Sequence, residues 1–124
     1  MKEERNVSVV FVVDDEVVIS RSLATILEHH GYSARFFTGP VEALECIKVD
    51  PPDLVITDVV MPHLSGVELA IQAKAHSSDC KILLFSGQAS TLDLLSEARK
   101  HGHDFTLLSK PVHPEDLLRE INRF

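Results

Sequence analysis

VSVVFVVDDEVVISRSLATILEHHG, residues 7 to 31, is the stretch that decides the fold. Val7 to Val13 is nearly all apolar and β-branched with no alternation, as expected of a strand covered on both faces of a parallel sheet. The run stops at Asp14-Asp15. From Glu16 to His30 the residues Val18, Ile19, Leu23, Ile26 and Leu27 recur at three-to-four spacing, and Gly31 follows, so the pattern predicts an amphipathic helix closed by glycine. A buried strand that passes directly into such a helix is the opening unit of an α/β fold.

The alternation repeats along the rest of the chain. Ser33 to Phe37 reads as a short strand and Pro40 to Lys48 as a helix, with proline in the first turn where its missing N–H costs nothing. DPPD at 50 to 53 breaks the chain before the apolar strand Leu54 to Thr57. A loop around Met61 to Gly66 leads into a helix from about Val67 to Ala75. Lys81 to Phe85 is another buried strand, and Ser90 to His101 a helix with Leu92, Leu95 and Ala98 along one side, ended by Gly102. Phe105 to Leu108 and Pro114 to Arg123 complete a fifth strand and helix. Five strands alternating with five helices predict a parallel sheet between two helical layers, joined by right-handed crossovers, as one domain over residues 1 to 124.

Composition narrows the function. With 12 Lys and Arg against 19 Asp and Glu, a net charge of -7, the chain lacks the clustered cations that a nucleic-acid surface needs. No apolar run approaches the ~18 residues of a spanning helix, and Met1 is followed by KEER rather than by an apolar leader, so no membrane insertion is expected. Cys46 and Cys80 are far apart without CxxC spacing; two reduced thiols and a cytoplasmic location are expected. Neither GxGxxG nor a Walker lysine motif occurs, which argues against nucleotide binding.

In an open parallel sheet, ligands bind beyond the carboxyl ends of the strands. Asp14 and Asp15 follow the first strand, Asp58 the third, Ser86 the fourth and Lys110 the fifth. If the first and third strands are neighbours, three carboxylates crowd one rim and call for a hard cation. Mg2+ suits them, since it takes one or two carboxylates together with a phosphate. Lys110 would bring a mobile point charge to a phosphoryl oxygen. Taken singly, an acidic residue here is a helix cap, Ser86 a loop serine and Lys110 a solvated lysine. Their shared position at strand ends favours the joint chemical reading.

VVDDE at 12 to 16, TDVVMP at 57 to 62, FSG at 85 to 87 and SKP at 109 to 111 stand in an order and spacing that closely resemble the receiver domain of two-component response regulators, over essentially the whole chain. The resemblance implies a doubly wound flavodoxin-like (βα)5 fold with strand order 2-1-3-4-5. It implies that Asp58 accepts a phosphoryl group from a partner histidine kinase or histidine phosphotransfer protein. Asp15, Asp58 and the backbone carbonyl of Val60 would bind Mg2+ directly, and Asp14 largely through a bound water. Lys110 and Ser86 would contact the phosphoryl oxygens, with the Lys110-Pro111 bond cis. The output would be read by a downstream protein on the face built from Ser90 to Phe124. The chain would catalyse only its own phosphorylation and dephosphorylation, and with nothing after Phe124 it would act as a single-domain regulator.

One position departs from the family pattern. Leu107 stands three residues before the lysine, where members commonly carry Tyr or Phe, so the usual aromatic half of the coupling is not expected. Whether Phe105 substitutes depends on register. Val60 and Gln88 flank the site and would tune the lifetime of the phosphoryl group. Met61-Pro62 and Gly66 are expected to shape the loop, and His63 lies beside the site. The remaining histidines read as helix-end or loop residues, and Leu92, Leu95, Leu117, Leu118 and Ile121 fit either a dimer or partner surface or helix core packing, which explains most of them equally well. Two rival readings use the same residues. One is a phosphorylation-independent binding module of the same fold; the other is a Mg2+-dependent phosphohydrolase, for which the chain has no spare segment to recognise a substrate.

Overall fold

The structure, a computed structural model, describes residues 7–87 and 91–124. Strand β1 spans Val9–Val13 and its side chains alternate between two apolar faces. Phe11 and Val13 point to one face, Val10 and Val12 to the other. Helix α1 (Val17–His29) follows, then β2 (Ser33–Phe37), α2 (Pro40–Val49), β3 (Leu54–Asp58), α3 (Gly66–His76), β4 (Lys81–Ser86), α4 (Thr91–Lys100), β5 (Thr106–Ser109) and α5 (Pro114–Asn122). All ten predicted elements are present, with no end shifted by more than two residues. Gln88 and Ser90 lie outside the described residues, as does the side chain of Leu92.

The five strands pair in parallel in the order β2-β1-β3-β4-β5. Helices α1 and α5 cover one face through Leu23, Ala24, Leu27, Leu117 and Ile121. Helices α2, α3 and α4 cover the other, through residues such as Ile47, Leu69, Ala73, Leu95 and Ala98. Both faces of β3 and β4 are therefore buried, which is why their sequences read as continuous apolar runs. Leu27 is fully buried, and cutting it to alanine would cost about 2 to 5 kcal/mol.

Local chemistry sets the ends of the elements. Gly31 and Gly102 take positive φ values of 90° and 88° just past α1 and α4, a conformation open to glycine without a Cβ penalty. The Asp53 carboxylate, in the DPPD break, accepts hydrogen bonds from the Ser8 and Val9 amides at 2.9 and 2.8 Å. These bonds fasten the start of β1 to the residue before β3, and the pairing of β1 with β3 begins just beyond them at Val10 although the apolar run begins at Val7. At the opposite rim, Ser65 caps α3 by accepting the Glu68 amide at 3.1 Å.

Candidate functional site

The strand order sets the carboxyl ends of β1, β3, β4 and β5 side by side, and the polar residues of the chain's interior gather there. Among the described residues the buried polar or charged side chains are Asp14, Ser20, Thr57, Asp58 and Ser86. Three of these five lie at strand ends on one rim. Asp14 and Asp15 follow β1, and a ligand oxygen from each comes within 4.8 Å of one from Asp58. Asp14 and Asp58 are buried while Asp15 is exposed.

Lys110, one residue past β5, reaches over this group. Its Nζ lies 3.2 Å from Asp58 Oδ2 and 3.3 Å from Asp14 Oδ2. The backbone of Lys110 holds its place by donating its N–H to the Ser86 carbonyl at 3.0 Å, which extends the β4–β5 pairing. The Lys110-Pro111 peptide is cis. Asp15, Asp58, Val60, Gly87 and Lys110 line an open hollow of about 680 Å3, together with Glu16, Met61 and Pro62.

The charges do not balance. Burial pushes the carboxyls of Asp14 and Asp58 above their usual range. Lys110 pulls both back down, as do backbone amides, Glu16 for Asp14 and Val59 and Val60 for Asp58. Burial also presses the Lys110 ammonium downward, yet its contacts with Asp58 and Asp14 outweigh this and raise it. Asp14 Oδ1 accepts the Glu16 amide at 2.9 Å, whereas the fully buried Oδ2 has only the ammonium at 3.3 Å and no aligned hydrogen bond. A buried carboxylate oxygen left in this way is costly unless positive charge reaches it. The Asp14 carboxylate therefore holds the backbone turn that leads into α1, whose N-cap Glu16 makes no side-chain capping bond, while the exposed Asp15 lines the hollow.

The loop between β3 and α3 is shaped from below by Gly66. Its amide donates to the Val59 carbonyl at 2.8 Å, and a Cβ at this position would overlap the backbone carbonyl of Asp58. His63, in the same loop, is exposed and takes a φ of 73°. Ser86 is buried at the end of β4 and pairs in register with Ser109. Leu107 and Phe105 share one face and pack against the cluster under α2, α3 and α4. Phe105 stacks on His103 with ring centroids 5.6 Å apart, one strand period farther from Lys110 than Leu107. Leu95, Leu117 and Ile121 are buried, in keeping with helix core packing.

Two features went unseen in the sequence. Ser65-Gly-Val-Glu68 has the spacing of a helix-capping pair and was open to reading. The placement of Lys110 Nζ over the ring of Phe85, 5.2 Å from its centroid, joins β4 to the residue after β5 and leaves no local pattern.

Residues 10–122 match the response regulator receiver domain family. The response regulator receiver protein CpdR of Brucella abortus is 35% identical over 115 residues, 92% of this chain and 93% of that protein. Response regulator MprA of Mycobacterium leprae is 33% identical over 112 residues, 90% of this chain and 48% of that protein, so the chain spans about half of that relative's length. The structure of a CheY-like response regulator receiver domain protein from Methanospirillum hungatei superposes with a TM-score of 0.85 at 30% identity, covering 94% of this chain and 92% of that one. Chemotaxis protein CheY4 of Vibrio cholerae superposes at 0.82 with 28% identity, covering 94% and 98%.

Proposed function

Because the chain belongs to the response regulator receiver domain family of two-component systems, we propose that it is a phosphoryl-accepting signalling switch with Asp58 as the acceptor. The observation that carries the reading is the arrangement of the rim: two buried carboxylates, Asp14 and Asp58, share the single ammonium of Lys110 beside an open hollow. We read residues 1 to 124 as one receiver domain.

An Oδ of Asp58 attacks the phosphorus of a phosphohistidine on a histidine kinase or phosphotransfer protein. An O–P bond forms as the P–N bond breaks, and the electron pair goes to the imidazole nitrogen. The protein's own part is mostly positioning and charge, which is where catalysis of phosphoryl transfer lies. The Lys110 ammonium shifts from the Asp58 carboxylate to a phosphoryl oxygen, and the Ser86 hydroxyl donates to another. The open hollow between Asp15, Val60 and Gly87 admits the donor.

The residues present suit a small hard cation. Their donors are carboxylate oxygens lying close together, and one of them, Asp14 Oδ2, is buried without an aligned hydrogen bond. Asp15, Asp58 and the carbonyl of Val60, with Asp14 behind them, would hold Mg2+. When bound it would neutralise negative charge on the phosphoryl group.

Once Asp58 carries the phosphoryl group, its new charge and acceptor oxygens bias the loops after β3 and β4, and the face from Ser90 to Phe124 presents the result to a downstream protein. Leu107, in β5 beneath that face, has no aromatic ring to swing, so the signal passes through Ser86 and the loops. The chain transfers phosphoryl only to and from itself.

The test is intact-protein mass spectrometry after incubation with acetyl phosphate and Mg2+. The native chain is expected to gain one phosphoryl group that hydroxylamine removes, and neither Asp58→Asn nor the native chain in chelator should gain it. Failure of the native chain to label, while a known receiver labels beside it, overturns the proposal in favour of a phosphorylation-independent binding module. Steady release of phosphate from small phosphate esters would favour a phosphohydrolase instead.

A further inference from the structure

Lysine at the rim has a positioning problem. Its side chain is long and loses considerable rotamer freedom when held in one place. Lys110 borders two hollows, the polar one beside Asp58 and an apolar one of about 540 Å3 against α1, lined by Val18, Ile19, Leu23 and Ile26. Asp14 and Asp58 draw the ammonium toward the first, but the charge of Asp58 is taken up when phosphoryl transfer begins. A holder made only of carboxylates competes with the phosphoryl oxygens for the same cation.

Phe85 supplies a different kind of hold. It pairs in register with Asp58 on β3 and with Leu108 on β5, so its side chain stands next to that of Asp58 on the α1 side of the sheet. The ring is almost fully buried, which fixes it in place. Lys110 Nζ lies over it, 5.2 Å from the centroid and within the range at which an aromatic face attracts a cation. The attraction comes from the ring quadrupole and carries no net charge, so it neither competes with a phosphoryl oxygen nor fades when Asp58 is esterified.

The geometry points to Phe85 as a positioning residue for phosphoryl transfer: its ring face keeps the Lys110 ammonium over Asp58, ready to move onto the incoming phosphoryl oxygens. This rests on the reading of Asp58 as the acceptor. Phe85 touches no reacting atom and acts through Lys110. A buried leucine would fill much of the same space while leaving the ammonium free to turn toward the apolar hollow.

The experiment places mono-, di- and trifluorinated phenylalanine at position 85 of the full chain, since fluorine drains the ring face with little change in volume. Phosphorylation by acetyl phosphate with Mg2+ is followed by intact mass, and the thermal midpoint of each variant is recorded. The rate is expected to fall stepwise with fluorine count, reaching roughly three- to ten-fold for the trifluoro ring, while the midpoint holds. Equal rates across the series overturn the inference and leave the Asp58 reading intact. A native chain that does not label at all overturns that reading, and the inference with it.

A second measurement does not depend on activity. The Lys110 ε-methylene protons are expected to be shifted upfield by the Phe85 ring current in the native chain and to lose that shift in Phe85→Leu. An identical chemical shift in both proteins also overturns the inference.

Discussion

Asp14 and Asp58 are acids held where their charged forms are disfavoured, and this gives the site a measurable cost. Burial raises both from 3.8, against the pull of Lys110. An acid with a raised folded-state pKa binds protons more readily in the folded chain than in the unfolded one. Its contribution to stability is complete below 3.8 and is lost as the pH rises through the folded-state value. Lys110 is raised as well, so its contribution is fully present and constant from acid to neutral pH and leaves the slope over that range unchanged. In metal-free buffer, urea denaturation from acid to neutral pH should therefore show the native chain losing stability relative to Asp58→Asn. At neutral pH the variant should be more stable by roughly 1 kcal/mol, or about 4 °C in thermal midpoint. Parallel pH profiles for the two proteins would contradict this. Of these residues, the positions at strand ends were legible in the sequence. The division of labour between Asp14, buried and bonded to the Glu16 amide, and Asp15, exposed to the hollow, was not, because it depends on where β1 stops.

The turn from β3 into α3 shows how an element can constrain a residue without touching its side chain. Gly66 lies under the Asp58 carbonyl so closely that any Cβ collides with backbone, which unlike a flexible side chain cannot move aside cheaply. Gly66→Ala should destabilise the fold by about 1 to 3 kcal/mol. It should also slow phosphorylation of the folded fraction by about ten-fold or more, because displacing a reacting group by a fraction of an ångström is costly. Thermal melts paired with acetyl phosphate labelling separate the two effects; labelling at the native rate would show that the close approach does not position Asp58. At this scale the order and type of elements were readable, since buried strands and amphipathic helices carry distinct periods. Their ends were readable only to within a residue or two. The Asp53 carboxylate that fastens β1 to β3 lies in what reads merely as a DPPD break, because its partners are amides 44 and 45 residues away.

For the whole molecule, strand order turns scattered residues into one rim. Local pattern could not supply that order, since a parallel sheet of five strands admits many arrangements with the same alternation. It came from the resemblance in VVDDE, TDVVMP, FSG and SKP, and the pairing of β1 with both β2 and β3 bears it out. The Phe85–Lys110 contact, by contrast, depends on the β4–β5 register and was invisible beforehand. The rim also links cation binding to global stability: a ligand at 100 times its dissociation constant stabilises the folded state by about 2.7 kcal/mol. Saturating Mg2+ should therefore raise the thermal midpoint of the native chain by several degrees, and should do little for a chain carrying both Asp14→Asn and Asp58→Asn. An equal rise in both would place the cation elsewhere. The most direct test of the central claim is borohydride reduction of the chain after acetyl phosphate treatment, followed by peptide mass mapping. An aspartyl phosphate is reduced to homoserine, and the account predicts that conversion at position 58 alone; homoserine at another acidic residue, or none in a chain that has gained phosphoryl mass, would contradict it.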